Sequence, residues 1–379
     1  MMARLEEICA INMGQSPDSS TYNEDGNGLP FFQGNADFGE IYPAVRMWCS
    51  EPTKIAREKD ILISVRAPIG ALNIANCECC IGRGLAALTV NEDICAQEYL
   101  WHALSGKVDE LNSKGTGSTF KAINKKTLSE TEIPLPPIDE QRKIAAILDK
   151  VSDLIAKRQQ QLDKLDEMIK ARFMEIFGDS ETNTKNWRVL PMSKICSVGS
   201  SKRIYQSEQS SSGVPFWRIS DLTSLITTGT VTPELYIPEE RYKELKTQGQ
   251  VPAPGDILIT SRGTLGQCYI VKVNDRFYFQ DGMISWLSGY MDGVTPLYIS
   301  YLFTMPGFRK QIDSMQAGST VAYLSITMIK KLKVMLPDIE SQQQFASFGS
   351  KTEKTKTTIS RSLEKLETLK KELMQEYFG

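Results

Sequence analysis

The chain reads LPPIDEQRKIAAILDKVSDLIAKRQQQLDKLDEMIKARFMEIFG from residue 135 to 178 and LPDIESQQQFASFGSKTEKTKTTISRSLEKLETLKKELMQEYFG from residue 336 to 379. Each residue of the second stretch lies 201 positions after its counterpart, without a gap. Identical pairs include Leu135/Leu336, Gln141/Gln342, Leu162/Leu363, Leu165/Leu366 and Phe177/Phe378. A period of this length is too long for a solenoid repeat. The duplicated unit is therefore predicted to be a whole domain followed by a helix.

Both copies carry the apolar spacing of a coiled coil, in which steps of four and three residues alternate. The predicted seam residues are Ile144, Leu148, Val151, Ile155, Leu162, Leu165 and Ile169 in the first copy and Ile359, Leu363, Leu366 and Leu373 in the second. The second helix is weaker, because GSKTEKTKTTIS at 349–360 has low helix propensity. We expect the two helices to pair antiparallel within the chain as a rod of roughly 50 Å, with a globular domain at each end.

The bulk properties are those of an ordinary globular protein. The chain has 379 residues, of which 41% are hydrophobic and 24% charged, which suits two or three domains. It contains no apolar run long enough for a membrane span and no signal-peptide pattern near its first residue, so a cytoplasmic location is expected. The eight cysteines are dispersed, which favours reduced thiols.

No motif predicts catalysis or a bound cofactor. The cluster of Cys77, Cys79 and Cys80 lacks the spacing of a zinc site and is more typical of a buried strand. GRGLAA at 82–87 fits G-x-G-x-x-A, which alone is a weak sign of dinucleotide or S-adenosylmethionine binding and is more typical of glycines in a strand or turn. His102, the one histidine, is interpreted as a core or interface residue. No cofactor and no metal are therefore expected in this chain.

Landmarks in the first globular segment return in the second. PFF at 30–32 returns as PFW at 215–217, DILISVRAPIG at 60–70 as DILITSRGTLG at 256–266, and GST at 117–119 as GST at 318–320. The sequences between these landmarks differ freely, so one mixed fold is predicted to carry two different surfaces. The predicted boundaries are a first domain at 1–137, a helix at 138–178, a second domain at 179–337 and a helix at 338–379.

The charge distribution limits the class of partner. The net charge is −2; residues 1–137 contain 12 basic and 18 acidic side chains, and residues 179–338 contain 17 and 14. Neither segment is strongly basic, so any contact with nucleic acid must be local or shared with a partner.

Basic and polar residues near the landmarks are candidates for DNA recognition. Arg66 and Arg262 lie beside glycine-containing turns, where a guanidinium can contact guanine or phosphate, or instead support the loop through an internal ion pair or hydrogen bond. SSKR at 200–203 suits phosphate contact. The full set of candidates is Gln33, Asn35, Arg66, Lys121, Lys202, Arg203, Arg218, Arg262, Ser319 and Tyr323.

Together, the PF(F/W) strands, the DIL…R…G segments, the GST turns, GSSKR at 199–203 and LPPIDEQRKIAAILD at 135–149 resemble the specificity subunit of type I restriction-modification systems. The resemblance covers nearly the whole chain. It implies an α+β fold in which two target recognition domains are separated by two long helices that form an antiparallel intramolecular coiled coil.

The resemblance also implies a function and partners. Each domain would read one half of a bipartite site in double-stranded DNA, and the helices would set the spacing and bind two methylation subunits. A rod of roughly 50 Å corresponds to about 15 base pairs. S-adenosylmethionine, ATP and magnesium would belong to the methylation subunits and to a restriction subunit with motor and nuclease activity. Two alternatives stay open: a self-sufficient methyltransferase or nuclease, and a coiled-coil scaffold without a DNA role.

Overall fold

The computed structural model describes residues 1–117, 121–316 and 322–379. They form two compact units. Unit 1 contains Met1–Gln160 and Ile359–Gly379, and unit 2 contains Gln161–Thr358. Both long helices run through both units, so each unit combines a globular part with parts of two helices.

The strands of unit 1 are β1 (Met2–Arg4), β2 (Cys9–Met13), β3 (Tyr22–Asn23), β4 (Leu29–Phe32), β5 (Trp48–Cys49), β6 (Ile55–Ala56), β7 (Ile61–Ser64), β8 (Leu72–Ile74), β9 (Cys79–Ile81), β10 (Leu85–Val90) and β11 (Glu132–Pro134). Its short helices are α1 (Leu5–Ile8), α2 (Gln97–Ser105), α3 (Val108–Ser113) and α4 (Lys125–Ser129). The long helix α5 (Ile138–Phe177) begins in this unit.

The strands of unit 1 form three sheets. An antiparallel sheet has the order β2-β10-β7-β8, a mixed sheet has the order β3-β5-β4-β9-β6, and β1 pairs with β11. Within the mixed sheet, β4 and β9 are parallel, with Phe32 opposite Ile81. The main core lies between the antiparallel sheet and the helices; Tyr99 and Leu100 of α2 are fully buried in it. Because β4 and β9 are parallel, the residues that follow them leave the sheet at the same edge and lie close together.

The strands of unit 2 are β12 (Arg188–Pro191), β13 (Ser197–Gly199), β14 (Val214–Trp217), β15 (Tyr236–Ile237), β16 (Ile257–Thr260), β17 (Cys268–Ile270), β18 (Tyr278–Phe279), β19 (Ile284–Ser288) and β20 (Lys333–Leu336). Its helices are α6 (Ile219–Thr228), α7 (Glu239–Thr247), α8 (Pro296–Leu302), α9 (Pro306–Ser314) and α10 (Ile326–Lys331). The long helix α11 (Ile339–Phe378) begins in this unit.

Unit 2 repeats the framework of unit 1. Its antiparallel sheet has the order β13-β19-β16-β17, and β12 pairs with β20. Strands β14 and β18 are parallel, with Trp217 opposite Phe279, as Phe32 is opposite Ile81 in unit 1. The framework differs after the first of these strands: α6 follows β14, whereas only a 3-10 turn at Asn35–Asp37 follows β4. One fold therefore carries two different surfaces, as the sequence predicts.

The long helices run antiparallel in each unit. In unit 2, Asp166 Oδ1 forms an ion pair with Lys356 Nζ at 2.6 Å. Seven residues later on α5, the ring centre of Phe173 lies 5.4 Å from that of Phe345, which comes earlier on α11. In unit 1, the end of α11 packs against the start of α5, since Phe378 and Ile144 share one core. Despite its low helix propensity, α11 is continuous for 40 residues. The predicted seam residues Ile144, Leu148, Val151 and Ile169 are buried, and Ile155, Leu162, Leu165, Ile359, Leu363, Leu366 and Leu373 are half-buried.

A buried glutamine attaches the start of each long helix to its own globular part. The Gln141 carboxamide accepts from Ala96 N at 2.9 Å and donates to Ile94 O and Pro136 O at 3.1 and 2.8 Å. Gln342 makes the same set of bonds in unit 2. These side chains are 0% and 1% exposed. Their identity at the 201-residue offset is therefore explained by an attachment that each unit needs.

The architecture confirms the predicted fold class, with two duplicated mixed domains and two long helices. The predicted domain boundaries at 137, 178 and 337 stay a prediction. The compact units divide both long helices between them.

Candidate nucleic-acid interface

An open cleft of about 520 Å³ lies in unit 1 beside the parallel strands. Two predicted residues, Gln33 and Arg66, line it together with Arg83, which was not predicted. The remaining lining residues are Ser16, Pro17, Asp18, Ser19, Tyr22 and Gly84. The cleft thus gathers two guanidinium groups, a carboxamide, a carboxylate and hydroxyl groups on one face of the unit.

The backbone fixes the loop that carries Arg83. Gly82 N donates to Phe32 O at 2.8 Å, Gly84 N donates to Gln33 O at 3.1 Å, and Arg83 N donates to Ser16 Oγ at 3.3 Å. A Cβ atom at Gly84 would lie only 2.4 Å from Gln33 O, so this position needs glycine. The two glycines of GRGLAA therefore serve a close approach between β4 and the loop after β9. That packing accounts for the motif without a dinucleotide.

Arg66 lies between this loop and a second segment. Val65 N donates to Gly84 O at 2.9 Å, and Ala67 N donates to Lys121 O at 3.0 Å. Arg66 itself forms a bridge with Ala122. These bonds hold its backbone while its side chain is exposed. The backbones at the two predicted residues Arg66 and Lys121 are consequently adjacent.

One carboxylate gives the cleft a negative group. Asp18 accepts from Ser20 N and from Ser20 Oγ at 2.9 and 2.7 Å. These donors hold the pKa of Asp18 below its usual range, so the side chain is an anion at neutral pH. The cleft consequently offers acceptors as well as donors. The predicted residue Asn35 is half-buried in the turn after β4 and does not line the cleft.

In unit 2, four side chains lie in one linked group, which we call the Asp281 cluster: Arg203, Asp281, Tyr323 and Arg262. Arg203 Nε donates to Asp281 Oδ2 at 3.0 Å. Tyr323 Oη donates to Gly282 O at 3.0 Å, and the Arg262 guanidinium lies 5.4 Å from the centre of the Tyr323 ring. Three of these residues were predicted, and the fold brings them together although they are far apart in sequence.

The remaining candidates of unit 2 are arranged less uniformly. Arg218 donates from Nη2 to Glu234 Oε2 at 2.7 Å, and this hydrogen bond raises the pKa of the guanidinium. Lys202 is exposed, and its backbone N–H donates to Tyr278 Oη at 2.9 Å. Ser319 lies outside the described residues. No comparison tests the role of any of these residues in DNA binding, so all of them stay predictions.

Sequence reasoning missed Arg83 and Asp281, which occupy equivalent places. Each is two residues after the strand residue that pairs with the PFF or PFW segment, namely Ile81 and Phe279. The residues directly after PFF and PFW are Gln33 and Arg218, and the backbone N–H of each donates to an aspartate at 2.8 and 2.7 Å. An arginine between two glycines was the available signal for Arg83.

Other residues singled out in the sequence have structural roles. Burial raises the pKa of the Cys79 thiol to about 12, so this thiol of β9 stays protonated and packs as a small apolar group. His102 Nε2 lies 2.7 Å from Asp149 Oδ1, which joins α2 to α5 within unit 1. Among the helices of the described residues, none combines the length and apolarity that a membrane span requires.

The fold and these surfaces define a protein that contains one framework twice, with two related but chemically different faces. The chain belongs to the family described as type I restriction modification DNA specificity domain, whose model matches residues 1–167 and 184–368. A solved structure of the type I restriction-modification system S subunit from M. genitalium aligns with a TM-score of 0.64 and 14% identity, over 100% of this chain and 96% of that one. This likeness supports the fold.

Relatives by sequence carry the same designation. A protein from Methanocaldococcus jannaschii named for the MjaX specificity subunit is 43% identical over 180 residues, 48% of this chain and 42% of that protein. One from Haemophilus influenzae, named for the specificity subunit S.HindORF215P, is 27% identical over 252 residues, 65% of this chain and 62% of that protein. The matched regions therefore span less than two thirds of these relatives.

Proposed function

We propose that the chain is the DNA sequence-specificity subunit of a type I restriction-modification complex. Each unit reads one half of a bipartite site in double-stranded DNA, and the long helices set the spacing between the halves. The observation that carries the proposal is the duplicated framework that bears chemically different side chains at equivalent positions. Such a design gives two readers with independent preferences.

The proposal assigns the chemistry to partners. Two methylation subunits bind the helices and supply S-adenosylmethionine-dependent methyl transfer, while restriction subunits with motor and nuclease activity use ATP and magnesium. This chain then has no catalytic residue and acts in the cytoplasm of a prokaryote. Support comes from the family membership and from the polar lining of the cleft in unit 1, which contains two arginines.

A domain exchange tests the two-reader assignment. Residues 179–337 are replaced by the corresponding segment of another family member, and the variant is expressed with its methylation partner. Sequencing of modified bases should show a change in one half-site and in no base of the other. A change in both halves would contradict the assignment.

A methyl-transfer assay tests the division of labour. The purified chain alone, incubated with S-adenosylmethionine and DNA, is expected to transfer no methyl group, while the mixture with its methylation partner does. Methyl transfer by the chain alone would show that it is itself an enzyme.

A further inference from the structure

Two arginines of unit 1 have no side-chain partner among the described residues, although the sequence of this unit is rich in acids. Residues 1–137 contain 18 acidic side chains against 12 basic ones. Yet within the described residues, the side chains of Arg66 and Arg83 form no ion pair or hydrogen bond, and both line the cleft. In unit 2, by contrast, Arg203 and Arg218 are each paired with a carboxylate. Unpaired guanidiniums that meet in one cleft are available to a ligand with hydrogen-bond acceptors.

The loop of Arg83 is held in place before any ligand binds. Its two flanking glycines are each hydrogen-bonded to β4 or the residue after it, and the Gly84 carbonyl accepts from Val65 N at 2.9 Å. Because the loop backbone is already ordered, binding has to order only the Arg83 side chain, and a fixed point of attachment favours geometric discrimination over charge attraction alone.

The other lining groups favour a base edge over a phosphate. A phosphate presents only acceptors and negative charge, so the Asp18 carboxylate would repel it and the Gln33 oxygen would have no role. A G·C pair presents both kinds of group in the major groove: guanine O6 and N7 accept, and cytosine N4 donates. The cleft offers the matching complement, with guanidinium donors beside a carboxylate and a carboxamide.

We propose that this cleft reads one G·C pair of the half-site recognised by unit 1, with Arg83 donating to guanine O6 and N7 as the specificity-determining residue. The inference rests on the proposed function. It assigns Arg83 a role distinct from that of a phosphate contact, which would strengthen binding to every sequence alike.

The test uses the full chain expressed with its methylation partner, followed by sequencing of modified bases. The variants are Arg83→Ala and Arg83→Lys, and Arg57→Ala is the matched control, since Arg57 is exposed in the same unit but does not line the cleft. Arg83→Ala should lose the preference for guanine at one position by about tenfold or more, and Arg83→Lys should keep part of it, because lysine can also donate to guanine O6 and N7. The other half-site should be unchanged, and Arg57→Ala should preserve the whole motif.

Together, the two Arg83 variants distinguish contact with a base from contact with a phosphate. Lysine keeps the charge and can still donate to guanine O6 and N7, but it lacks the planar fork of arginine. Loss of the guanine preference in Arg83→Ala with partial retention in Arg83→Lys is the result expected for base reading, whereas weaker methylation of every site with an unchanged motif in Arg83→Ala would overturn it. An unchanged motif in both variants would overturn it as well and would leave the two-reader function intact. If the unaltered chain with its partner directs no sequence-specific methylation, the proposed function itself fails.

Discussion

Units 1 and 2 share their attachments and differ at the surface that those attachments position. Gln141 and Gln342 make matching buried bonds at the start of the two long helices. At two equivalent surface positions, however, unit 1 has Gln33 and Arg83 where unit 2 has Arg218 and Asp281.

The comparison separates contacts that the fold requires from surface positions whose side chains can vary. The buried glutamine bonds to backbone groups that each unit has in common, so a substitution there costs stability. The surface positions are placed by backbone hydrogen bonds that any side chain permits, and their chemistry can change without cost to the fold. A third position is basic in both units, Arg66 and Arg262.

The largest effect is expected from removal of the shared attachment. Gln141→Leu leaves Ala96 N and two carbonyl oxygens without partners. Each buried group that loses its hydrogen-bond partner costs about 1–3 kcal/mol. For three such groups we expect a loss of at least about 3 kcal/mol in the free energy of unfolding, measured by chemical denaturation.

The matched variant is Gln342→Leu, which should destabilise by a similar amount because its bonds are equivalent. The control is Gln206→Leu, at an exposed position of unit 2. It should change the free energy of unfolding by less than about 0.5 kcal/mol. If only one of the two substitutions lowered the free energy of unfolding, the two glutamines would not have equivalent roles.

A smaller effect is expected from the variable position of unit 2. Asp281→Arg places at this position the residue type found in unit 1 and removes the carboxylate that Arg203 binds. The exposed ion pair itself contributes little to stability. The preference at one base of the half-site read by unit 2 should change by about tenfold, about 1.4 kcal/mol, as measured by sequencing modified bases.

Asp292→Arg is the control for charge, since Asp292 is exposed in the same unit and lies outside the Asp281 cluster. It should leave the motif intact. If both substitutions altered the motif alike, long-range charge rather than direct contact would explain the effect.

The sequence predicted the features that depend on local pattern and on repetition. The coiled-coil spacing gave both long helices, and the recurring DIL…R…G segment gave Arg66 and Arg262. Arg83 and Asp281 could not be found in this way, because their positions depend on the parallel pairing of strands about 50 residues apart, such as Phe32 with Ile81. Local sequence contains no information about that register, and the glycines around Arg83 also fitted a nucleotide-binding motif.

Substitutions in the helical seam are expected to affect the spacing between half-sites and to leave base preference unchanged. Leu162 and Leu165 are only half-buried, so Leu162→Ser with Leu165→Ser should cost about 1 kcal/mol each. If the helices set the distance between half-sites, weaker packing should let the complex modify sites with additional spacer lengths, while both half-sites keep their sequence. Lys164→Ser, at an exposed position of the same helix, should change neither property. A change of base preference at constant spacer length would show that the seam supports the reading surfaces and does not measure the DNA.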